Sequence, residues 1–188
     1  MTAQAALPAG VGLLERAINY LLGVLHEVRD GEMSARTPCT DWNLRELLGH
    51  LDESLVALQE ATTGHVSLSP TDRPVADPVS ALRDRACCLL SAWTNATRVD
   101  VTVGDAGLTT GIVATAGAVE VAVHGWDVAR ALGRRRPIPP GLAEEMLAVS
   151  PLLVSEADRP ARFAVPVAVP AQAPAGDRLL AFLGRRPY

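Results

Sequence analysis

The sequence predicts an all-α fold: four amphipathic helices forming a four-helix bundle with one long crossover, followed by C-terminal additions. Three observations carry this. Apolar residues recur at helical spacing in four separate segments, capping and stop residues fall at the segment ends, and only one short stretch alternates with the period of a strand. The 188 residues, 48% hydrophobic and 20% charged, are enough to bury a full core and exclude wholesale disorder. A single domain over residues 1–188 is expected, with 137–188 as an extension packed on the bundle.

The first helix is expected from about Val11 to Val28, where Leu14, Ile18, Leu21, Leu22 and Leu25 form one apolar stripe and Asp30-Gly31 supplies a turn. The loop Thr37–Asn43 is rich in capping residues, and Asn43 with Glu46 reads as a capping-box variant. The second helix, about Leu44 to Thr62, carries Leu44, Leu47, Leu48, Leu51, Leu55 and Leu58 on one face. A loop from Gly64 to Asp77, containing Pro70 and Pro74, leads into an Asp77-Pro78 helix start. The third helix, about Pro78 to Thr94, is expected to bury Val79, Leu82, Ala86, Leu89, Leu90 and Trp93. Val99–Val103 alternates as a short strand or extended crossover, and Gly104–Gly107 reads as a turn. The fourth helix, about Thr110 to Leu132, stops at Gly133, with Arg134-Arg135-Arg136 and Pro137 beyond. Pro139-Pro140 opens a short helix to about Ser155. Between Ala161 and Gly176 Val alternates with Pro, as in an extended strap, and Leu179–Leu183 returns as a last helical turn.

Composition removes several classes of function. The charge balance is 17 − 21 = −4, and every basic residue is Arg, so Schiff-base chemistry and a lysine-dependent phosphate loop are excluded. With net negative charge and 4% aromatic residues, neither nucleic acid nor an anionic membrane is an expected partner. Cys39, Cys87 and Cys88 make a poor disulfide framework and read as reduced, buried cysteines of a cytoplasmic protein. Met1–Gly10 lacks signal-peptide character, and Gly111–Val123, interrupted by Glu120, is too short to span a bilayer.

The chemistry-bearing residues concentrate in two helices. Glu120 and His124 are one helical turn apart, and Asp127 falls nearly on the same line, all within a helix otherwise made of small and apolar residues. A plain Glu–His ion pair is the simpler reading. His50 lies off the leucine seam of its helix, on the flank shared with Glu46, Glu53 and Ser54, where a half-exposed histidine is the ordinary reading. Taken together, two histidines and one glutamate from two helices make a three-ligand metal set with room for water or substrate. Zn²⁺ suits these donors, with Ni²⁺, Fe²⁺ and Mn²⁺ as alternatives. His65, beside Gly64, reads as a surface loop residue, and His26 as a residue at the cation-favouring end of the first helix.

Three segments also resemble a known family. TPCTDWNLRELLGHL (residues 37–51), VEVAVHGWDVARALG (119–133) and DRLLAFLGRRP (177–187) are similar, in order, to segments of the DinB-like metal-binding superfamily. The closer likeness is to actinobacterial proteins related to the N-terminal domain of mycothiol-dependent maleylpyruvate isomerase. The resemblance implies a DinB-like four-helix bundle with a divalent metal between the second and fourth helices, held by His50, Glu120 and His124. The chain departs from the pattern in placing acids, Asp52 and Glu53, directly after His50, and in having only a short extension where the isomerase has a second domain. Arg83, Arg85 and Arg130 are all loose matches to the family's substrate-binding arginine.

The functional expectation is a metal-dependent isomerase or thiol transferase that activates a low-molecular-weight thiol, mycothiol as co-substrate, against a small electrophile. Two alternatives stand beside it: a Lewis-acid tailoring enzyme of secondary metabolism that uses no thiol, and a non-catalytic metal- or ligand-binding protein. Glu53 and Asp127 are candidates to hold a ligand imidazole or carry protons, with Glu53 as a solvated helix acid the competing reading. Trp42 and Trp126 are candidate pocket walls. The expected partner is a small molecule, bound by a monomer or homodimer.

Overall fold

Where the apolar stripes predict helices, helices form. The computed structural model describes residues 3–67, 77–97, 99–159 and 162–188, and the chain divides into two compact units, Met1–Arg136 and Pro137–Tyr188. In the first unit the helices are α1 (Ala3–Leu25), α2 (Leu44–Ala61), α3 (Pro78–Thr94) and α4 (Thr110–Ala131). Helix α1 packs most extensively against α4, α2 lies against both α3 and α4, and α1 also touches α3. Leu14, Ile18, Leu21 and Leu25 of α1, the leucine stripe of α2, and Leu82, Ala86, Leu89 and Trp93 of α3 are all buried in the core. Each such leucine contributes roughly 1.5–3 kcal/mol by its burial. Leu22, Val79 and Leu90, also expected inside, are half-buried at the edges of their stripes.

The helix ends follow local chemistry. Asn43 Oδ1 accepts from Glu46 N–H (3.1 Å) while Glu46 Oε2 accepts from Asn43 N–H (2.7 Å), the reciprocal pair that the sequence predicts at the start of α2. Asp77 Oδ1 caps α3 by accepting from the N–H groups of Val79 (3.1 Å) and Ser80 (3.0 Å). Gly133 ends α4 with φ +67°, and the Arg134 N–H to Ala129 O bond (2.9 Å) closes a Schellman turn. Helix α1 begins at Ala3 rather than near Val11, since the alanines before the apolar stripe are themselves strong helix formers.

The all-α expectation needs correction. A three-stranded sheet, β1 (His65–Val66), β2 (Asp100–Val103) and β3 (Ala106–Thr109), joins the first unit, with β1 parallel and β3 antiparallel to β2. The turn expected over Gly104–Gly107 is shorter: Val103 pairs with Ala106, leaving Gly104 and Asp105 as the turn, with Gly104 at φ +56°. His65 is therefore an exposed strand residue, not a loop residue. Pro70, Pro74 and Ala161 lie outside the described residues.

Helix α4 is long and apolar enough, by composition alone, to cross a membrane, and most of it is buried inside the protein, as in a core helix. Its small residues allow that burial. A Cβ on Gly10 of α1 would lie 2.6 Å from Gly111 O, and a Cβ on Gly117 would collide with the Leu58 side chain of α2. Both neighbours of α4 thus approach where a side chain is missing. In the second unit, α5 (Pro140–Leu153) packs against α6 (Ala175–Phe182), which starts earlier than the last turn expected at Leu179. Val167 N–H donates to Ala181 O (2.9 Å), fastening the Val-Pro segment to α6.

Candidate metal centre

Helices α2 and α4 bring three donors to one point. His50 Nε2 lies 2.7 Å from Glu120 Oε1, and His124 Nε2 lies 3.3 Å from the same oxygen. The close approach at Gly117, one turn before Glu120, and Leu58, one turn after Ser54, sets the spacing of the two helices here. Ser54 Oγ donates to Glu120 Oε1 (3.2 Å), so the carboxylate is oriented from two positions of α2. The imidazole rings of His50 and His124 stand nearly edge to face, 5.1 Å apart at 83°.

The chemistry of this trio fits a divalent cation. One ligand atom from each of His50, Glu120 and His124 lies within 4.8 Å of the others. Two nitrogen or oxygen donors on a tetrahedral ion sit about 3.3 Å apart. The His124–Glu120 separation already has that value, and the His50–Glu120 hydrogen bond needs to open by only about half an ångström. The His50 and Glu120 side chains are each 32% exposed while that of His124 is 8% exposed, so the trio is anchored at His124 and approachable at His50 and Glu120.

Asp127 fixes His124 from behind. Its Oδ2 accepts from Nδ1 of the ring at 2.9 Å, and Asp127 itself is fully buried. With Nδ1 committed to the carboxylate, the lone pair of a neutral ring belongs to Nε2, which faces Glu120 and His50. The charges reflect this packing. Burial works to raise the Glu120 carboxyl, but the hydrogen bonds and charges of His124 and His50 outweigh it and hold the group far below the ordinary carboxylate range. For His124 burial works to lower the value, and the hydrogen bonds to Asp127, Cys39 and Glu120 outweigh it, so the ring holds a proton well above the ordinary histidine range.

Other residues singled out from the sequence fall in different places. Trp42 walls the cluster, its ring 4.5 Å from that of His50 and 6.2 Å from that of His124. The Thr37 hydroxyl, which accepts from Cys39 N–H (3.1 Å) and donates toward Trp42 O (2.8 Å), braces the loop that carries it. Trp126 is buried and carries Arg130 over its ring at 5.6 Å. Glu53 is exposed on α2, outside the donor group, and Asp52 is held by Arg85 through two bonds of 2.6 and 3.2 Å. Arg136 pairs with Glu27 at the far end of α1. Cys87 and Cys88, expected to be buried, are exposed on α3.

Cys39 and Ser54 are members of the site that spacing did not nominate. Ser54 carries a readable signal, one turn after His50 on the same flank. Cys39 carries no signal in spacing, though it falls within the family-like segment 37–51: its Sγ reaches Asp127 Oδ2 at 3.4 Å through the fold of the loop.

The family model described as the mycothiol maleylpyruvate isomerase N-terminal domain matches residues 14–129, a stretch that contains every residue of the donor cluster. The chain belongs to this family. It is thereby a member of a mycothiol-related, metal-binding group, as the motif resemblance implied. Uncharacterized proteins of Mycobacterium tuberculosis strains CDC 1551 and H37Rv are each 28% identical to it over 185 residues, covering 91% of this chain and 94% of theirs.

Proposed function

We propose that this chain is a divalent-metal-dependent enzyme that activates a low-molecular-weight thiol, mycothiol in a host that makes it, for isomerisation or sulfur transfer on a small electrophile. The architecture we infer for Met1–Arg136 is a DinB-like four-helix bundle, supported by the mutual packing of α1 to α4. The observation that carries the functional reading is the convergence of His50 Nε2, Glu120 Oε1 and His124 Nε2, with Asp127 committing the opposite nitrogen of His124.

His50, Glu120 and His124 would hold the ion, which by donor type is Zn²⁺ first. A divalent ion there supplies the positive charge that keeps a thiol in its thiolate form at neutral pH. The remaining work belongs to the chain. Asp127 keeps the Nδ1 proton of His124 and aims Nε2 outward. Ser54 holds Glu120 in register with His50, and Trp42 offers an apolar wall beside the open side of the trio.

The thiol-free Lewis-acid reading drew its support from the acids after His50, and that support is lost: Asp52 is tied to Arg85, and Glu53 faces solvent. Purified protein should contain about one equivalent of a divalent ion, and His50→Ala should remove most of it. Calorimetric titration of the metal-loaded protein should show binding of mycothiol and weaker binding of glutathione. Equal, negligible heats for both thiols would leave a metal-binding protein without thiol chemistry.

A further inference from the structure

The far side of His124 carries a second set of donors that the proposed activity does not use as ligands. Cys39 Sγ lies 3.4 Å from Asp127 Oδ2 and 3.9 Å from His124 Nδ1, and the latter two atoms are 2.9 Å apart. A sulfur and a nitrogen bound to one tetrahedral ion sit about 3.6 Å apart, and two first-row donors about 3.3 Å. Each observed separation is within about half an ångström of those values, so the three atoms already form one face of a tetrahedron. We propose that Cys39, Asp127 and Nδ1 of His124 form a second cation site, selective for soft, thiophilic ions such as Cd²⁺.

Donor type and charge both separate this pocket from the first. A thiolate, a carboxylate and a neutral imidazole carry two negative charges, which a divalent ion cancels, whereas the trio of His50, Glu120 and His124 carries one. Thiolate sulfur selects soft ions over the harder ones that carboxylate and imidazole accept. Asp127 is fully buried and His124 nearly so, while Cys39 is half-buried and opens the pocket to solvent. Binding sends the thiol proton and the Nδ1 proton to solvent and leaves Nε2–H donating to Glu120. A neutral His124 has one lone pair, so the two pockets draw on the same ring from opposite sides.

The test uses full-length protein, freed of bound metal with a chelator so that the His124 ring is available, in a Cys87→Ser, Cys88→Ser background, which removes the two exposed thiols on α3. Cd²⁺ titration followed by ultraviolet absorbance reads the sulfur-to-metal charge-transfer band directly. The band is expected to saturate at about one equivalent and to persist at full amplitude when His50→Ala disables the first pocket. It should be lost in Cys39→Ser, whose circular dichroism and melting profile verify the fold. No band in the parent background overturns the proposal. A band abolished equally by His50→Ala also overturns it, because the thiol would then belong to the first pocket and not to one of its own.

Discussion

The α2–α4 seam and the cleft between α1 and α3 hold similar residue types and differ in how they are held. The cleft, about 570 Å³, is lined by Leu22, Gly23, His26, Ser80, Arg83, Asp84 and Cys87, and so offers a histidine, a carboxylate and a thiol. His26 and Cys87 are exposed, and these groups are not among the donor clusters of the described residues. At the seam the same three residue types are drawn to within hydrogen-bond distance, because a buried carboxylate has to be compensated and each polar group becomes the partner of another. The cleft offers space without convergence. Convergence distinguishes the seam, and convergence is what a cation reads.

The largest expected contrast between the two regions is in metal content. His124→Ala should reduce the bound ion from about one equivalent to near none, while His26→Ala leaves it unchanged; elemental analysis of both variants decides it. Equal losses would mean that the ion is held elsewhere. A smaller effect of the same kind is expected one layer out. Asp127→Asn keeps the size of the side chain but loses the charge that holds the Nδ1 proton, and such changes weaken metal affinity by roughly 10–100-fold. Competition with a chromophoric chelator measures this. An unchanged affinity would show that the Asp127 carboxylate is not what aims the ring.

Acidity separates the loaded and metal-free forms of the seam. Glu120 is held below the ordinary range, so its contribution to stability is present above about pH 4.3 and is lost only as the pH falls through its depressed value. His124 is raised, so its contribution is full below about pH 6.5 and is lost as the pH rises through its elevated value. The metal-free protein should therefore be most stable in mildly acidic solution. Metal binding requires the Nε2 lone pair of His124 and competes with that proton, so affinity should rise with pH across the same interval in which metal-free stability falls. Melting curves of the metal-free protein and chelator titrations between pH 5 and 8 would show the two trends crossing. Parallel trends would remove the protonated His124 from the account.

Much of the fold was legible because much of it is decided locally. The Asn43–Glu46 box, the Asp77 cap and the Gly133 stop each depend on residues within one turn of each other, and each forms as its sequence suggests. Strand β3 was hidden for the opposite reason. Ala106 and Gly107 have little strand preference of their own and are extended because β2 pairs with them. The donor trio was legible as a combination, since His50, Glu120 and His124 interrupt apolar patterns that leave few other places for them. Glu53 illustrates the limit of a helical wheel. Around α2 it lies about 60° from His50 on one side and Ser54 about 40° on the other, and only the packing of α4 selects the Ser54 side. Cys39 was marked by the family-like segment 37–51 but not as a donor, because a loop cysteine meets Asp127 through tertiary structure alone.

The finest distinction between the regions lies in two glycines. A Cβ on Gly117 would come 2.8 Å from Leu58 Cδ1 and nearer still to Cδ2, and Leu58 is a buried member of the α2 core stripe. Gly117→Ala should therefore force α2 and α4 apart, costing about 1–3 kcal/mol and loosening the trio one turn away, with weaker metal binding as a result. A Cβ on Gly23, at the cleft, would meet only the guanidinium end of Arg136, whose side chain is 39% exposed and can swing aside. There the gain in helix propensity, up to about 1 kcal/mol for alanine over glycine, offsets the disturbance, so Gly23→Ala should leave stability within about 0.5 kcal/mol of the parent or slightly above it. Urea melts and metal titrations of the two variants, compared side by side, test this. If Gly117→Ala proved as mild as Gly23→Ala, the close approach of α2 and α4 could not be what sets the spacing of the donors, and the burial of α4 would have to be explained without it.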